Sequence, residues 1–368
     1  MKKVTYKISI TIGLIFVLLL TSCQQPRVID DLRIVQALGY DYVSPKIVRG
    51  TASIPIFQKG GGGGAESAKS DTYSVLANRG RQLQDKLNAQ EQHPIVFGKI
   101  MVVLFNTTLA KTGIYEYIDI LNRNPEIGFM LNPVIVDGST QTMLNTQYPS
   151  SPLVAMYLSD LLKQNAKENL PDTNLQTFLF GYYSYGADPF LPLLKQEGNH
   201  VKIKGIALFN DDRYVGYLPY RDAFVFKMLF QSFSSGSYAA PWDKKHTVSI
   251  ENIGSKVEYH VKNTNGDPNR PEININVDQV GYLRTSSVGI GPREAVTTLQ
   301  KKMEADLKNR GQRVLKILQR KSIDPLQIGD RVRSYTRSWS PRKWDNYYPH
   351  ARIKLNVSVK IIQTGIIE

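Results

Sequence analysis

The pattern of apolar and polar residues changes near residue 190. Before that point, apolar runs of strand length alternate with stretches of helical period, and 95–105 is so continuously apolar that it predicts a strand covered on both faces. The predicted strands are 32–42, 50–57, 95–105 and 131–136, the predicted helices are 74–88, 111–122 and 153–165, and 177–183 is a last strand or loop. Pro55 cannot donate to a ladder, so its strand is predicted at a sheet edge. This β–α–β order is typical of an α/β domain.

After residue 190 the pattern consists of short alternating runs separated by turn residues. Segments 201–209 and 214–218 predict a β-hairpin, and 246–250 with 256–262 predicts a second hairpin that turns near Asn252. The longest helical pattern runs from 293 to about 321, and its apolar stripe is Val296, Leu299, Met303, Leu307, Val314 and Leu318. Since 353–361 alternates apolar and polar residues, we predict that this helix packs on an antiparallel sheet.

The length of the chain indicates more than one domain, because 368 residues exceed the size at which a single hydrophobic core stops growing. We predict a mixed α/β (α+β) protein of three domains. They are an N-terminal α/β domain over 23–190, a small sheet-rich middle domain over 191–270, and a C-terminal domain over 271–368, in which the long helix packs on the antiparallel sheet.

The first 23 residues have the pattern of an export signal. Lysines precede an apolar run at 8–20, which is shorter than the roughly 20 residues that span a bilayer. The run ends in Leu-Thr-Ser-Cys, which resembles a bacterial lipobox, and Cys23 is the only cysteine of the chain. We expect removal of residues 1–22 and a diacylglyceryl anchor on Cys23 that tethers the protein outside the cytoplasm. A plain signal peptide and an uncleaved anchor are the alternatives.

The charge of the chain bears on its partners. With 46 Lys and Arg against 32 Asp and Glu, the net charge is +14. Nucleic acid is not expected as the partner of an exported protein, whereas an anionic membrane surface attracts basic residues by roughly 1 kcal/mol each. Solubilising surface charge is the alternative. The long helix has a basic face made of Lys301, Lys302, Lys308, Arg310, Arg313, Lys316 and Arg320. We favour a solvated face over a membrane-facing one.

Catalytic motifs are not found in the sequence. The 5 histidines are scattered without metal-ligand spacing, no Gly-x-Ser-x-Gly motif occurs, and the thiol of Cys23 is assigned to the anchor. The glycine run at 60–64 lacks the Lys-Ser/Thr of a phosphate-binding loop, so we predict a flexible loop tip there. We therefore expect no enzymatic activity, no metal and no cofactor.

The most site-like stretch interleaves aromatic and basic residues near the carboxyl end. Its members are Trp339, Trp344, Tyr347, Tyr348, Arg337 and Arg342. Such residues can stack on a ligand or on a partner loop, which makes them a candidate partner or ligand surface. The alternative is that this segment packs over the long helix as part of the core.

Four groups of residues, in order along the chain, form a recognisable set. They are 29–35 before Gly39, then 95–105 with 117–119 and 123–127, then 205–209 with 215–218, and finally 323–326 with Gly329, Trp344 and 348–349. Together they resemble the Ger(x)C family, the C subunits of bacterial spore germinant receptors, over essentially the whole chain. The glycine run and the Tyr40-Asp41 pair depart from the family pattern.

The resemblance implies a lipid-anchored subunit on the outer face of the spore inner membrane, with three mixed α/β domains and no catalytic residue. It implies assembly with a membrane-embedded A subunit and a transporter-like B subunit that respond to nutrient germinants. Whether the C subunit contacts the germinant stays open. The alternative is a substrate-binding lipoprotein of a transporter, a class that usually closes two similar lobes over its ligand.

Overall fold

In the described residues, the architecture consists of two large β-sheets, a separate pair of short strands and the helices that cover the sheets. The structure is a computed structural model that describes residues 32–58, 67–78, 82–128, 130–243, 245–262, 267, 270–286 and 293–362. The predicted signal segment with Cys23 and the glycine run at 60–64 lie outside the described residues.

Eight strands form the first sheet, and two further strands form a separate parallel pair. The strands are β1 (Arg33–Ile34), β2 (Ala37–Ser44), β3 (Ile47–Gln58), β4 (Ser67–Ala77), β5 (Ile95–Val96), β6 (Val102–Asn106), β7 (Asn132–Val136), β8 (Phe190–Glu197), β9 (His200–Asn210) and β10 (Arg213–Pro219). The order in the sheet is β10-β9-β8-β7-β6-β2-β3-β4, and β1 pairs with β5. The central strands β8, β7, β6 and β2 are parallel, and the outer strands are antiparallel.

Helices cover both faces of the first sheet. They are α1 (Leu83–Asn88), α2 (Thr107–Thr112), α3 (Tyr115–Arg123), α4 (Thr140–Asn145), α5 (Val154–Lys167) and α6 (Leu175–Tyr183). Helices α1, α2, α3 and α6 pack on the face that carries Val103 and Ile135. Helices α4 and α5 pack on the other face, which carries Val102 and Val134. Because successive strand residues are buried on opposite faces, the central strands are almost wholly apolar.

The second sheet has 4 strands, and one long helix packs on it. Its elements are α7 (Ala223–Phe230), which precedes it, β11 (Ser237–Pro241), β12 (Thr247–Lys262), β13 (Glu272–Ser286), α8 (Arg293–Arg320), α9 (Ile328–Tyr335), α10 (Pro341–Tyr347) and β14 (Ile353–Ile362). The predicted long helix on a sheet is confirmed, and its predicted apolar stripe is buried. The sheet is mixed, since β14 joins β13 in parallel. This follows from the connection, because α8, α9 and α10 form a crossover between the two strands.

Helix α7 joins the two sheets into one core. Its residues 223–229 are all buried. The ring of Phe226 lies 4.9 Å from that of Phe190 in β8, and the ring of Phe224 lies 5.1 Å from that of Tyr238 in β11. A single apolar cluster therefore runs from the first sheet through α7 to the second sheet.

The segment 191–270, predicted as a middle domain, contributes strands to both sheets. Strands β8, β9 and β10 complete the first sheet, whereas β11 and β12 belong to the second. The hairpin predicted from 201 to 218 is confirmed as β9 and β10. The mixed α+β fold is thus observed, and the limits of the three domains stay a prediction.

Three local predictions in and beside the first sheet are wrong. The single strand predicted at 95–105 is two strands, β5 and β6, separated by a turn, and β5 pairs with β1 outside the eight-stranded sheet. The helix predicted at 74–88 is the end of β4 followed by α1, because Val75 and Ala77 are buried while Leu76 is exposed, which is the period of a strand. The strand of Pro55 is not an edge strand, since β3 lies between β2 and β4. Its pairing with β2 ends at Ser53, so no N–H is needed at Pro55 on that side.

Two further elements differ from their predictions. The strand or loop at 177–183 is helix α6, which begins with reciprocal hydrogen bonds between Asn174 and Thr177. The second predicted hairpin is one continuous strand, β12, in which Asn252 lies at a bulge against β13. Asn252 is buried, and its Nδ2 donates to the carbonyl of Ser235 at 3.0 Å. The turn was predicted wrongly because asparagine occurs at bulges as well as at turns.

Asp41 attaches the start of α4 to the first sheet. Its buried carboxylate accepts hydrogen bonds from Ser139 Oγ (3.1 Å), Thr140 N (2.8 Å) and Gln141 N (2.9 Å). Backbone N–H groups in the first turn of a helix have no partner within the helix, so a carboxylate there both satisfies them and interacts favourably with the helix dipole.

We predict that Asp41→Ala lowers the free energy of unfolding by about 2–4 kcal/mol, because buried N–H groups lose their acceptor. Urea unfolding followed by circular dichroism measures the loss. Asp160→Ala, at an exposed position of α5, is the matched control and should change the same quantity by less than about 0.5 kcal/mol. Equal losses in both variants would contradict the role of Asp41.

Candidate functional site at the junction of the two sheets

The six residues predicted as a partner or ligand surface differ in burial. Trp344 and Tyr348 are buried, Trp339 and Tyr347 are half-buried, and Arg337 and Arg342 are exposed. The four aromatic side chains all pack against the large core that joins the sheets. Trp344 and Tyr348 therefore belong to the core, as the alternative stated. That the other four residues form a partner or ligand surface stays a prediction.

Two aspartates meet across the junction, close to the buried aromatic pair. Asp188 lies in the loop between α6 and β8, and Asp324 lies in the turn after α8. The N–H of Asp188 donates to the carbonyl of Asp324 (3.1 Å), and the N–H of Asp324 donates to Asp188 Oδ2 (2.6 Å). This reciprocal contact connects positions 136 residues apart in the chain.

Each of the two carboxylates also accepts a hydrogen bond from a further backbone N–H group. Asp324 Oδ2 accepts a hydrogen bond from the N–H of Gly329 at 2.7 Å, which closes the turn that leads into α9. Asp188 Oδ1 accepts one from the N–H of Asp211 at 3.1 Å, in the turn between β9 and β10. Two loops of the first sheet, those before β8 and between β9 and β10, therefore meet the turn that follows α8 at this pair.

Two glycines allow the backbones to approach this closely. Gly186 has a φ of +76°, and a Cβ at Gly329 would lie 2.7 Å from Gly186 Cα and 2.3 Å from Trp344 Nε1. The N–H of Asp330 donates to the carbonyl of Gly186 at 3.0 Å. A side chain at position 329 would separate the two backbones or displace the indole, so glycine is required by space.

Burial makes the junction a proton-binding site near neutral pH. It raises the pKa of Asp324 to about 7 and that of Asp188 to about 6, although backbone hydrogen bonds oppose both shifts. Burial also raises the pKa of Asp345, and the charge of Asp211 adds to this rise. The positive charge of Arg331 opposes the shift of Asp324 less than the hydrogen bonds do.

Arg331 extends the junction towards the second sheet. Its guanidinium lies over the ring of Tyr259, 4.3 Å from the centroid. The hydroxyl of Tyr259 donates to the carbonyl of Leu229 at 2.7 Å. The aspartate pair is thus connected through α9 and β12 to α7, the helix that both sheets share.

The chemistry available at this junction is proton uptake and the joining of two units. Within the described ranges, no group of three or more His, Cys, Asp or Glu side chains is placed to hold a metal ion. None of the helices in those ranges is long and apolar enough to cross a membrane.

Sequence reasoning missed two features of the structure, the partner of Asp188 and the exposed aromatic face of α6. Asp188 follows a Tyr-Gly turn without any pattern that indicates its distant partner. Helix α6 exposes Phe180 and Tyr183, and Tyr185 follows them in the loop. The Asn-x-x-Thr start of α6 is the signal that could have identified this exposed aromatic face as helical.

The comparisons with known proteins agree over most of the chain. A family model described as "Spore germination protein N-terminal domain" matches residues 25–196, and one described as "Spore germination B3/ GerAC like, C-terminal" matches residues 204–365. Asp188 lies in the first matched region and Asp324 in the second. Their contact therefore joins the two regions.

Individual relatives show the same extent of similarity. The chain is 28% identical to spore germination protein GerQC of Bacillus cereus, over 96% of this chain and 98% of the relative. It is 22% identical to spore germination protein KC of Bacillus subtilis (strain 168), over 96% and 94%. The crystal structure of the GerBC protein has the same fold, with a TM-score of 0.53 at 18% identity over 88% of this chain and 96% of that chain.

We predict that the stability of the protein falls as the pH rises from about 5 to about 7, in part because of Asp324. The folded state binds the proton of this carboxyl more tightly than the unfolded chain does, so raising the pH removes a proton that favours the fold. Over this window wild type should lose roughly 2–3 kcal/mol more than Asp324→Asn, which cannot titrate.

Urea unfolding at several pH values measures this difference. Asp278→Asn, at an exposed position of β13, removes a charge away from the junction and should follow the wild-type pH profile. An Asp324→Asn profile parallel to that of wild type would contradict the raised pKa.

Proposed function

Because the chain belongs to the Ger(x)C family of spore germination proteins, we propose that it is the lipid-anchored C subunit of a nutrient germinant receptor. The observation that carries this proposal is the similarity to GerQC of Bacillus cereus over 96% of this chain and 98% of that protein. The subunit would couple and assemble membrane-embedded A and B subunits and would catalyse no reaction. A fixed junction between its two sheets suits a protein that transmits position between partners.

We propose Cys23 as the lipidated residue. It precedes Leu32, the first described residue, by nine positions, so at roughly 3.4 Å per residue the tether reaches at most about 30 Å. Such a short tether would keep the folded part beside the bilayer, on the extracytoplasmic face of the spore inner membrane. The outer loops of the A and B subunits would then lie within its reach.

One proposed contact surface for these partners is the exposed side of the carboxyl-terminal aromatic stretch. Trp339 and Tyr347 are half-buried there, and Arg337 and Arg342 are exposed. Tyr347 also lines a cleft of about 460 Å³ with Lys343. A rigid aromatic side chain beside exposed guanidinium groups is a frequent combination at protein interfaces.

A second proposed contact surface is the exposed aromatic face of α6. Phe180, Tyr183 and Tyr185 are 46%, 57% and 68% exposed. The hydroxyl of Tyr183 is within 2.6 Å of that of Tyr115, whose ring stacks on Tyr182 at 4.3 Å. Exposed aromatic side chains that are already held in place lose little conformational entropy on binding, which suits an interface.

Purification of the tagged protein from detergent-solubilised spore membranes tests the proposed function. We expect two multi-spanning subunits of one receptor to be recovered with it and identified by mass spectrometry. Recovery of an ATP-driven permease instead would indicate a substrate-binding lipoprotein of a transporter. Recovery of neither class from membranes that contain all receptor subunits would contradict the proposal.

We predict that Cys23→Ala releases the protein from the membrane or leaves it unprocessed, because the acceptor thiol of the anchor is absent. Spores that carry this variant should respond more weakly to one nutrient and normally to a non-nutrient trigger. Fractionation and intact-protein mass measure the first effect. Ser22→Ala keeps a small residue before the cysteine and is the control, which should retain the anchor. A diacyl mass on Cys23→Ala would contradict the assignment.

A further inference from the structure

A cleft of about 510 Å³ opens between α8, β11 and the 3₁₀ segment Tyr220–Asp222. Arg310 and Arg313 of α8 line it together with Asn169, which follows α5. Its walls therefore come from both of the regions that the family models match. Clefts of this volume are typical of small-molecule sites.

Hydrogen bonds fix the walls of the cleft in place. Asn169 binds the backbone of Ser237 in β11 twice, since its Nδ2 donates to the carbonyl (3.1 Å) and its Oδ1 accepts from the N–H (3.2 Å). The hydroxyl of Tyr220 donates to Asn165 Oδ1 at 2.9 Å. A cleft whose walls are held in this way is preorganised, so little entropy is lost when a ligand binds.

Arg310 lines the cleft, and its guanidinium is already bound by other residues of the protein. Its side chain is 18% exposed, and its Nη2 lies 3.0 Å from Asp222 Oδ1. Its Nη1 donates to the hydroxyl of Tyr238 at 3.0 Å. The hydroxyl of Tyr238 in turn donates to Asp306. Arg310 and these two carboxylates thus form a closed network that holds α8 against the rest of the cleft.

Two further arginines that line the cleft, Arg221 and Arg313, do not form such a network. Arg313 lies one turn after Arg310 on the same face of α8, is exposed, and has no ion-pair or hydrogen-bond partner within the part of the chain that the structure describes. Arg221 Nε lies 3.8 Å from Asp222 Oδ2, but that carboxylate already binds Arg310 at the shorter distance. Asp222 is the one carboxylate among the residues that line the cleft, against three arginines.

We infer that this cleft binds a small oxyanion, a carboxylate or a phosphate, between Arg221 and Arg313. A guanidinium presents two parallel N–H donors that match the oxygen atoms of either group. Phe224 and Ala239 also line the cleft, so part of its lining comes from apolar residues. This inference does not depend on the proposed receptor function, because it concerns residues of this chain alone.

Titration calorimetry of the purified full-length protein in detergent and low salt tests the inference. The probes are sodium acetate, sodium glutamate and inorganic phosphate, each against wild type and against Arg221→Gln with Arg313→Gln. We expect saturable binding of at least one probe with one site per chain. We expect the double variant to bind it at least tenfold more weakly, since both charged donors are lost.

The matched control is Lys316→Gln with Arg320→Gln, which removes the same charge from exposed positions of the same helix outside the cleft. It should bind within about twofold of wild type, and circular dichroism should show both double variants folded. The preferred probe identifies the ligand as a carboxylate or a phosphate. Absence of saturable binding of all three probes up to about 10 mM, or equal weakening in the control, would overturn the inference. No receptor partner is present in the assay, so its failure leaves the proposed function untouched.

Discussion

The arrangement of this protein depends on one close contact, where Gly186 and Gly329 meet. Beside them, the N–H of Asp188 donates to the carbonyl of Asp324, and the N–H of Asp324 donates to the carboxylate of Asp188. Burying two carboxyl groups costs free energy unless they are hydrogen-bonded or neutral. Here backbone N–H groups satisfy part of the demand, and protonation of Asp324 near neutral pH lowers the remaining cost. The contact therefore requires glycine at position 329, and we expect its contribution to stability to depend on pH.

A buried lysine of α7 also connects the two units. Lys227 is buried in α7, and its Nζ donates to the carbonyls of Ala166 (2.6 Å) and Glu168 (2.9 Å) at the end of α5. These carbonyls have no partner within their own helix, so the lysine completes that helix end while its stem packs in the shared core. The two units are thus connected at two places, through α7 between the sheets and through the aspartate pair at the junction.

Elements whose apolar residues repeat regularly along the chain could be predicted from the sequence. The stripe of α8 and the hairpin of β9 and β10 repeat over enough residues to fix the period, and their burial agrees. Short or composite segments could not be predicted in this way. Val75 and Leu87 share the spacing of one helical stripe only because a strand and a helix follow each other, and an asparagine such as Asn252 occurs in a bulge as well as in a turn. The contact of Asp188 with Asp324 spans 136 residues, and no local pattern encodes such a pairing. The same holds for the oxyanion cleft.

The most direct test of this account is the distance between the two units, measured by electron paramagnetic resonance. Nitroxide labels at Lys111→Cys in α2 and Ser358→Cys in β14, both exposed positions, would report it in a Cys23→Ser background. The account predicts one narrow distance distribution at pH 6 that broadens when Gly329→Val forces the backbones apart. A distribution that is broad from the start, or that stays narrow in the Gly329→Val variant, would contradict the claim that this junction holds the two sheets together.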